Sequence, residues 1–549
     1  MGHRGLLKGY LLTLVLSCLA WAPLAVQAAV KQEGTLVIAL DTLGAQSMDP
    51  IQESRSAHAH YQAPMYDGIL WFNPEKGGAA PGVAERWELA KDGLSWIFHI
   101  RKGMKWHNGD PVTAHDVKFS IERTMSKGSL ASRAAAVRRD VQRIDVIDDY
   151  TVQVFTKGVQ VHFAEGLSRA TYQEGQLMPK KYIETVGEEE FRKKPIGSGP
   201  WKFVRSVPGD RIEYEAIDYP HFRGTPNFKR LVILLIPEES TRVAMVSTGE
   251  AAIASISPES IKEAKALRLK VVSVPGTMQA VYQMYGMTLK GSQKNPLADP
   301  RVRQALSLAI DRKKIIEHVM YGEARMPMPF ATFGYSVDLS TDRWQKWSAE
   351  AFRYDPNRAK QLLAEAGYAN GFPMNFAITA LAGTPFMVPI GLAVADFWNK
   401  IGIKVTYKNY EYGAFAPMVR GDQKQLVGAV SMFRTAGRPV AAARYFGGFN
   451  SKGAHHLFGY GEDCPELCQS FDKLHKAVTV ETDAKKRMEL TDQMVKLVAD
   501  SWIAVPILEG MGYWAVNPGM VGAFKAIPGR HEFGDVFERM PRVDQKRWN

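Results

Sequence analysis

A strand, a helix and a second strand follow one another within residues 374–407, and this alternation constrains the fold more than any other feature. Residues 374–379 and 403–407 have the composition of short strands, and residues 389–401 have the apolar spacing of a helix. Strands that are separated by a helix usually pair in parallel, with the helix packed on the sheet. The sequence therefore predicts an α/β fold. Trp398 lies within the apolar pattern of the helix, which favours a position in the core.

Residues 299–324 predict a second amphipathic helix. Asp299 suits the N-cap, and Pro300 suits the first helical position, where a missing N–H costs nothing. Apolar residues recur at the spacing i, i+3, i+4, i+7 and i+8, which puts them on one face. They are Val302, Ala305, Leu306, Ala309 and Ile310.

Residues 81–123 predict hairpins that lead into a helix. Two runs of alternating apolar residues are punctuated by Asp92-Gly93 and by Asn108-Gly109, which are strong hairpin signals. Thr113, followed three residues later by Asp116, is a capping box that opens a helix. Residues 145–155 alternate as one further strand.

The residues of these segments are more specific than their periodicity requires. The block 81–123, the helix at 299–324, and the segments 354–372 and 482–487 resemble, in the same order, the extracytoplasmic solute-binding proteins of family 5. That family comprises the peptide, opine and nickel binders of ABC importers. The resemblance implies a periplasmic-binding-protein-like α/β fold of type II, of the large cluster, with two hinged lobes and an extra subdomain in the first. It also implies that a ligand is captured between the lobes and delivered to a membrane permease.

At 549 residues the chain is too long for one ordinary core, so two or three domains are expected. With the resemblance, we expect a signal peptide at 1–28, lobe I at 29–55, 195–285 and 501–549, the extra subdomain at 56–194, and lobe II at 286–500.

The N-terminal residues predict export. Arg4 and Lys8 precede an uncharged run, residues 9–30, that ends in a small-residue cleavage pattern at 26–28. The run is also long enough to serve as an uncleaved anchor. A lipoprotein site at Cys18 fits poorly, because the apolar run continues past it. We expect cleavage and a location in the periplasm.

Cysteine content and charge are consistent with an exported, soluble binder. Removal of the signal leaves Cys464 and Cys468, an i, i+4 pair that is close enough for a disulfide in an oxidising compartment. Two free thiols remain the alternative, and a zinc site needs more ligands. The formal charge is +12, but Lys and Arg are scattered, which indicates a weak global field and no nucleic-acid partner.

The segment 428–446 departs from the resembled family in a way that bears on the ligand. Peptide-binding members carry an acid there that pairs with the ammonium of the ligand, whereas this chain has no acid between Asp422 and Glu462 and has Arg434 and Arg438 instead. The loop 381–386 also lacks the Arg that dipeptide binders use. Arg presents a planar fork that matches a carboxylate. We therefore predict an anionic ligand, aromatic or opine-like, with Phe433 and a Tyr against its apolar part. The alternative is that both Arg side chains are solvated or pair with acids of the protein.

Other candidates for ligand contacts come from three segments. Gln46 and Ser47 follow the first strand, in a loop that reaches the cleft in the resembled family. Tyr282 and Met284 lie in the passage 271–287 between the lobes, and line either the core or the cleft. Thr384 and Phe386 belong to the loop 381–386.

No enzyme motif is present. The sequence has no GxSxG elbow and no phosphate-binding loop, and the histidine pairs 58/60 and 455/456 lack the spacing of a metal site. We expect no enzyme activity, no cofactor and no bound metal ion, a monomer, and an ABC permease with its ATPase as partners. The alternatives are a di- or oligopeptide binder or a nickel-chelate binder of the same family, a secreted hydrolase, and a chaperone that works without a transporter.

Overall fold

The computed structural model describes residues 32–52, 58–73, 78–131, 134–168, 175–287, 292–380, 384, 386–411, 415, 428–436, 440–453, 455, 457–459, 464–526 and 537–545. No helix among them has both the length and the apolar character that crossing a bilayer requires. The predicted signal peptide and Arg438 lie outside the described residues.

The strands of the described residues form three sheets. They are β1 (Thr35–Leu40), β2 (Leu70–Phe72), β3 (Ala79–Pro81), β4 (Ala84–Leu89), β5 (Ser95–Ile100), β6 (Val141–Asp148), β7 (Thr151–Thr156), β8 (Trp201–Val207), β9 (Arg211–Ala216), β10 (Arg230–Leu235), β11 (Ile253–Ile256), β12 (Lys270–Met284), β13 (Pro373–Ala380), β14 (Lys404–Glu411), β15 (Val430–Ala436) and β16 (Ala504–Val516). The largest sheet has ten strands in the order β14-β13-β15-β12-β16-β11-β1-β10-β9-β8. β4-β5-β7-β6 form a four-stranded antiparallel sheet, and β2 pairs with β3.

Helices cover these sheets. They are α1 (His58–Gln62), α2 (Ala114–Thr124), α3 (Ala134–Asp140), α4 (Phe163–Gly166), α5 (Lys180–Val186), α6 (Glu188–Lys193), α7 (Glu239–Thr248), α8 (Ile261–Ala266), α9 (Pro300–Leu308), α10 (Arg312–His318), α11 (Thr341–Ala351), α12 (Pro356–Glu365), α13 (Met387–Asn399), α14 (Ala441–Phe449), α15 (Glu466–Val480) and α16 (Ala484–Ser501). Short 3-10 helices occur at Ser292–Lys294, Pro296–Ala298 and Phe537–Arg539.

The ten-stranded sheet contains two sets of parallel strands that run in opposite directions. β1 pairs in parallel with β10 and β11, and β13 pairs in parallel with β14 and β15. Between them lie β12 and β16, which are antiparallel to each other and to the neighbouring strands β15 and β11. It follows that β12 runs parallel to β1 and opposite to β13, so the carboxyl ends of the two sets point toward each other. We call β8, β9, β10, β1 and β11 the first half of the sheet, and β15, β13 and β14 the second half.

The βαβ prediction is confirmed, since α13 joins the parallel strands β13 and β14. Trp398 is fully buried, and its indole N–H donates to the carbonyl of Leu306 at 2.9 Å. Asp116 and Thr113 form the predicted capping box of α2. The turn at Asp92-Gly93 joins β4 to β5, also as predicted.

Two predictions of secondary structure were wrong, and an aspartate explains each. The segment 299–324 forms two helices, α9 and α10, because the carboxylate of Asp311 accepts from the N–H of Lys314 at 3.1 Å and caps a new helix. The segment 145–155 is a hairpin of β6 and β7, because the carboxylate of Asp148 accepts from the N–H of Tyr150 at 2.7 Å and closes a turn. The predicted N-cap at Asp299 is confirmed, and the apolar face of the segment is buried.

Candidate ligand-binding cleft

The candidate site is the cleft between the two sets of parallel strands. Ala436, the last residue of β15, pairs with Met278 of β12. Ile256, the last residue of β11, pairs with Tyr513 of β16, which itself pairs with Ser273 of β12. The carboxyl ends of the two sets therefore face each other across the stretch 273–278. Ligands of open α/β sheets bind beside the carboxyl ends of the strands, where the loops converge.

β12 and β16 cross the cleft and form its floor. Their pairing shifts register between Val274 and Met278, where Pro275 offers no N–H to the ladder. Gly276 has a φ of +72°, and a Cβ at this position would lie 2.5 Å from the ring of Tyr335. The Tyr335 hydroxyl donates to the carbonyl of Gly276 at 2.8 Å. The ladder is thus interrupted where the two halves meet, so a hinge motion at this point would break fewer ladder hydrogen bonds than in a regular strand pair.

Arg434 lies at the cleft end of β15, two residues before the strand ends, and is half-buried. Its backbone pairs with Ala280 of β12. Within the described part of the chain, its guanidinium makes no hydrogen bond and no ion pair. A guanidinium carries five N–H donors, so Arg434 stays a candidate for a ligand contact.

Three other predicted residues lie at the same edge of the sheet. Phe433 is buried, with its ring 5.9 Å from that of His455, and the alternation of the strand directs it to the face opposite Arg434. Thr384 is buried and Phe386 is half-buried, and both lie between the end of β13 and the start of α13. β13 and β15 are neighbours, so the topology brings these residues to one end of the second half.

Gln46 and Ser47 follow β1, but the amide group of Gln46 is engaged inside the protein. Its nitrogen donates to the hydroxyl of Ser206 at 2.8 Å and to the carbonyl of Val207 at 2.9 Å. Its oxygen accepts from the N–H of Gly209 at 2.8 Å. Gln46 therefore ties the loop after β1 to the hairpin of β8 and β9.

Tyr282 and Met284 are fully buried in the apolar core of the second half. The ring of Tyr282 packs edge-on against Trp398, with the centroids 5.2 Å apart. Of the two positions considered for these residues, the structure supports the core.

Asp338 is a buried acid near the candidate site that the sequence did not indicate. Its carboxylate accepts from the N–H groups of Ala441 and Ala442 at 2.9 and 3.0 Å, and so caps α14, the helix that follows β15. Burial raises the pKa of Asp338 to about 6. Because Asp338 lies more than a hundred positions before α14, no local pattern could have revealed the contact. The N-terminus of α14 is occupied by this carboxylate.

Glu509 is a second acid that sequence reasoning missed. It is buried in β16, one residue before Gly510, and pairs with Gln279 on the rung that also contains Thr435. Burial raises the pKa of Glu509 to about 7, although Arg325 opposes the shift. The available signal was a lone acid in the otherwise apolar run 503–509. An acid therefore does lie near the cleft, although not on the segment where the resembled family carries it.

A serine, a histidine and an aspartate do meet in the structure, but not as a hydrolytic triad. The hydroxyl of Ser198 donates to Asp67 at 2.8 Å, and Nε2 of His221 lies 3.1 Å from the same carboxylate oxygen. The carboxylate is thus between the other two groups, whereas a triad requires the histidine between them. Burial alone would raise the pKa of Asp67, but His221, Arg223 and Ser198 outweigh it and lower the pKa to about 2. The cluster is a structural link.

Cys464 and Cys468 form a disulfide at the start of α15, with their Cα atoms 5.3 Å apart. Asp472 lies close enough to form a three-ligand cluster with the two sulfur atoms. Because both sulfur atoms are bonded to each other, neither is a thiolate ligand for a metal ion.

Comparisons with known proteins agree with this architecture. The family model described as bacterial extracellular solute-binding proteins, family 5 Middle, matches residues 78–453. The haem-binding protein A of Haemophilus influenzae is 26% identical over 517 residues, which cover 88% of this chain and 89% of that protein. The dipeptide-binding protein of Escherichia coli is 26% identical over 508 residues, which cover 86% and 89%.

A solved structure shows the same fold. AgaA of A. tumefaciens R10, determined in complex with agropinic acid, superposes with a TM-score of 0.71 at 21% identity, covering 93% of this chain and 99% of AgaA. Together with the family match over most of the chain, this identifies the protein as a member of the bacterial extracellular solute-binding proteins, family 5.

Proposed function

We propose that the ligand of this solute-binding protein is a small carboxylate-bearing organic molecule, aromatic or opine-like, held in the cleft with its carboxylate against Arg434. The relatives of the chain are substrate-binding proteins of ABC transporters, so the chain serves an ABC importer by binding its substrate. The finer proposal concerns which substrate it takes.

Arg434 is the observation that carries this proposal. Its guanidinium is half-buried at the carboxyl end of β15 and has no partner among the described residues, while the N-terminus of α14 is already capped by Asp338. A charge-assisted hydrogen bond to a carboxylate contributes about 1.5 to 3 kcal/mol. AgaA binds agropinic acid, and the relative from Haemophilus influenzae is named for haem, which carries two propionates. Both ligands are acids.

Binding is coupled to closure in this proposal. The two halves are joined through β12 and β16, whose ladder is interrupted at 274–278. A ligand that contacts both halves stabilises the closed form by the difference between its affinities for the closed and open forms. The closed, loaded protein is then recognised by a membrane permease. We further propose that the protein works as a monomer in the periplasm, is exported by residues 1–28, and catalyses no reaction.

A di- or oligopeptide is the second candidate. The buried Glu509 favours it, because an acid at the cleft floor suits the ammonium of a peptide. The dipeptide-binding relative also supports it.

Isothermal titration of the purified protein with matched ligands tests the two candidates. Each pair consists of a carboxylic acid and its α-amino derivative, for example phenylpropanoate and phenylalanine, with dipeptides and opines as further ligands. We expect the acids to bind, and Arg434→Ala to weaken them about 10- to 100-fold, as one lost charge-assisted bond implies. Arg434→Lys should recover part of the affinity.

Lys346→Ala, on the exposed face of α11, is the matched control and should bind like the wild type. The carboxylate proposal is wrong if Arg434→Ala leaves all affinities unchanged. Binding that requires the amino group and is lost in Glu509→Gln would instead support the peptide candidate.

A further inference from the structure

A cavity of about 400 Å³ lies outside the cleft, where the four-stranded sheet meets the first half of the large sheet. One wall is the turn after β5, residues 101–105, and the other is the loop 219–222 after β9. Ser198 completes the lining, beside His221. We call this the basic cavity.

The charged side chains that line the basic cavity are cations. They are Arg101, Lys102 and Lys105, and no Asp or Glu lines it. Arg101 is held in place, since its guanidinium lies 5.0 Å from the ring centroid of Phe222 and its Nε donates to the carbonyl of Gly82 at 3.4 Å. The acid in contact with Arg101 is Glu85, a half-exposed side chain 3.8 Å away, which neutralises it only weakly.

Tyr219 adds a donor to these cations. Its hydroxyl is buried and has no hydrogen-bond partner in the described residues. Burial raises the pKa of Tyr219, with smaller contributions from Asp67 and Asp218, so the hydroxyl stays protonated and able to donate. A buried hydroxyl without a partner is unfavourable unless a ligand or water accepts from it.

Two of the lining residues, Ser198 and His221, already have hydrogen-bond partners within the protein. Ser198 donates to Asp67, and His221 contacts the same carboxylate. The charge of Asp67 is offset by Arg223, which lies 3.4 Å from its other oxygen. The ammonium of Lys102 lies 5.3 Å from the ring centroid of Tyr150. The unused binding capacity is therefore that of Lys105, the remaining N–H groups of Arg101 and the Tyr219 hydroxyl.

We propose that the basic cavity is a second binding site, for a small organic anion whose carboxylate or phosphate group contacts Arg101, Lys105 and the Tyr219 hydroxyl while its apolar part lies against Met104 and Pro220. The site is distinct from the cleft and does not depend on Arg434. Because its two walls belong to different sheets, an occupied site holds the four-stranded sheet to the first half. Occupancy should then raise the melting temperature. A free anion and the phosphate headgroup of an anionic lipid share this chemistry.

Phenyl phosphate, which combines a phosphate with a ring, is the probe for the free anion, and vesicles of phosphatidylglycerol against phosphatidylcholine are the probe for the lipid. Binding to the full-length mature protein is measured by isothermal titration and by vesicle flotation. We expect one of the two probes to bind, with affinity reduced at least tenfold in Arg101→Gln and severalfold in Tyr219→Phe. Lys105→Gln changes an exposed position without affecting packing, and should weaken binding severalfold.

Lys262→Gln, at an exposed site on α8, and Arg434→Ala are the controls and should bind the probe like the wild type. The proposal is overturned if neither probe binds, if Lys262→Gln weakens binding as much as Lys105→Gln, or if only Arg434→Ala abolishes it. The urea midpoint of each variant reports whether it folds. Should Arg101→Gln not fold, the comparison of Lys105→Gln with Lys262→Gln decides alone.

Discussion

The joint between the four-stranded sheet and the large sheet is held by buried charges, whereas the second half of the large sheet is held by apolar packing. At the joint, Arg123 donates to both carboxylate oxygens of Asp49 at 2.7 and 2.8 Å. Beside the joint, Arg223 of the loop between β9 and β10 donates to both oxygens of Glu538, in the 3-10 helix Phe537–Arg539, at 3.1 Å, and both side chains are buried. In the second half, Trp398 of α13 packs edge-on against Tyr282 of β12 and Phe376 of β13, within a large apolar core.

The two regions differ in how strictly their contacts specify which segments of the chain pack together. Apolar burial is non-directional and tolerates many partners, but a buried ion pair is favourable only when both members are present. The pairs at the joint and beside it link positions that are far apart in the chain, 49 with 123 and 223 with 538. They therefore determine which segments meet, while the apolar core of the second half supplies the larger part of the burial.

The largest effect should come from removing a charge beside the joint. Arg223→Ala leaves the buried carboxylate of Glu538 without its ion-pair partner and removes one of the groups that offset Asp67, and breaking a buried pair in this way typically destabilises by about 3 to 5 kcal/mol. Urea unfolding measures the loss. Adding Glu538→Gln to Arg223→Ala should recover part of it, because the second change removes one of the buried charges. A loss below about 1 kcal/mol for Arg223→Ala would mean that the joint does not depend on its ion pairs.

A somewhat smaller effect is expected for the pH dependence of the unfolding free energy, which should differ between the two regions. The folded-state pKa of Asp338, about 6, is above its ordinary value of 3.8, so its stabilisation is fully present below about pH 4 and is lost as the pH rises through 6. Two pKa units correspond to about 3 kcal/mol. Asp67 at the joint has a pKa of about 2, below its ordinary value, so its effect on stability has the opposite pH dependence. Its stabilisation is present above pH 4 and is lost as the pH falls toward 2. Asp338→Asn should therefore gain on the wild type between pH 4 and 7.

Urea unfolding at several pH values tests this expectation, with Asp92→Asn in an exposed turn as the control. If the wild type and Asp338→Asn gave parallel curves of unfolding free energy against pH, the burial of Asp338 would not govern the acid response of the second half.

Features of the fold and of the site that depend on local patterns could be predicted from the sequence, whereas contacts between distant segments could not. Periodic apolar patterns identified α13, α12 and the buried face of α9, because such patterns are local. Capping and turn residues such as Thr113, Asp116 and Asp299 were recognised for the same reason. The contacts of Asp338 with α14 and of Gln46 with the β8–β9 hairpin join distant segments, so no local pattern reveals them. The candidate site shows both cases, since Arg434 stood out by its charge whereas the buried position of Glu509 depends on how β16 pairs.

Trp398→Phe should test the apolar half with a moderate effect. The substitution removes the indole N–H and leaves the carbonyl of Leu306 without its donor, in addition to a small cavity. We expect a loss of about 2 kcal/mol in unfolding free energy. The loss should be the same at pH 5 and pH 8, because no titratable group is involved. A marked pH dependence would show that the core of the second half is coupled to Asp338 or Glu509.

The smallest effect is expected for the disulfide, the covalent link of the second half. The bond closes a loop of only a few residues, for which the loss of unfolded-chain entropy corresponds to about 1 to 2 kcal/mol. Cys464→Ala prevents the bond while leaving the buried Cys468 in the core. We expect its urea midpoint to lie below that of the oxidised wild type and to match that of the wild type reduced with a phosphine. If the reduced wild type and Cys464→Ala differed, the half-buried Cys464 side chain would also contribute through packing, and the loss in Cys464→Ala would not belong to the covalent bond alone.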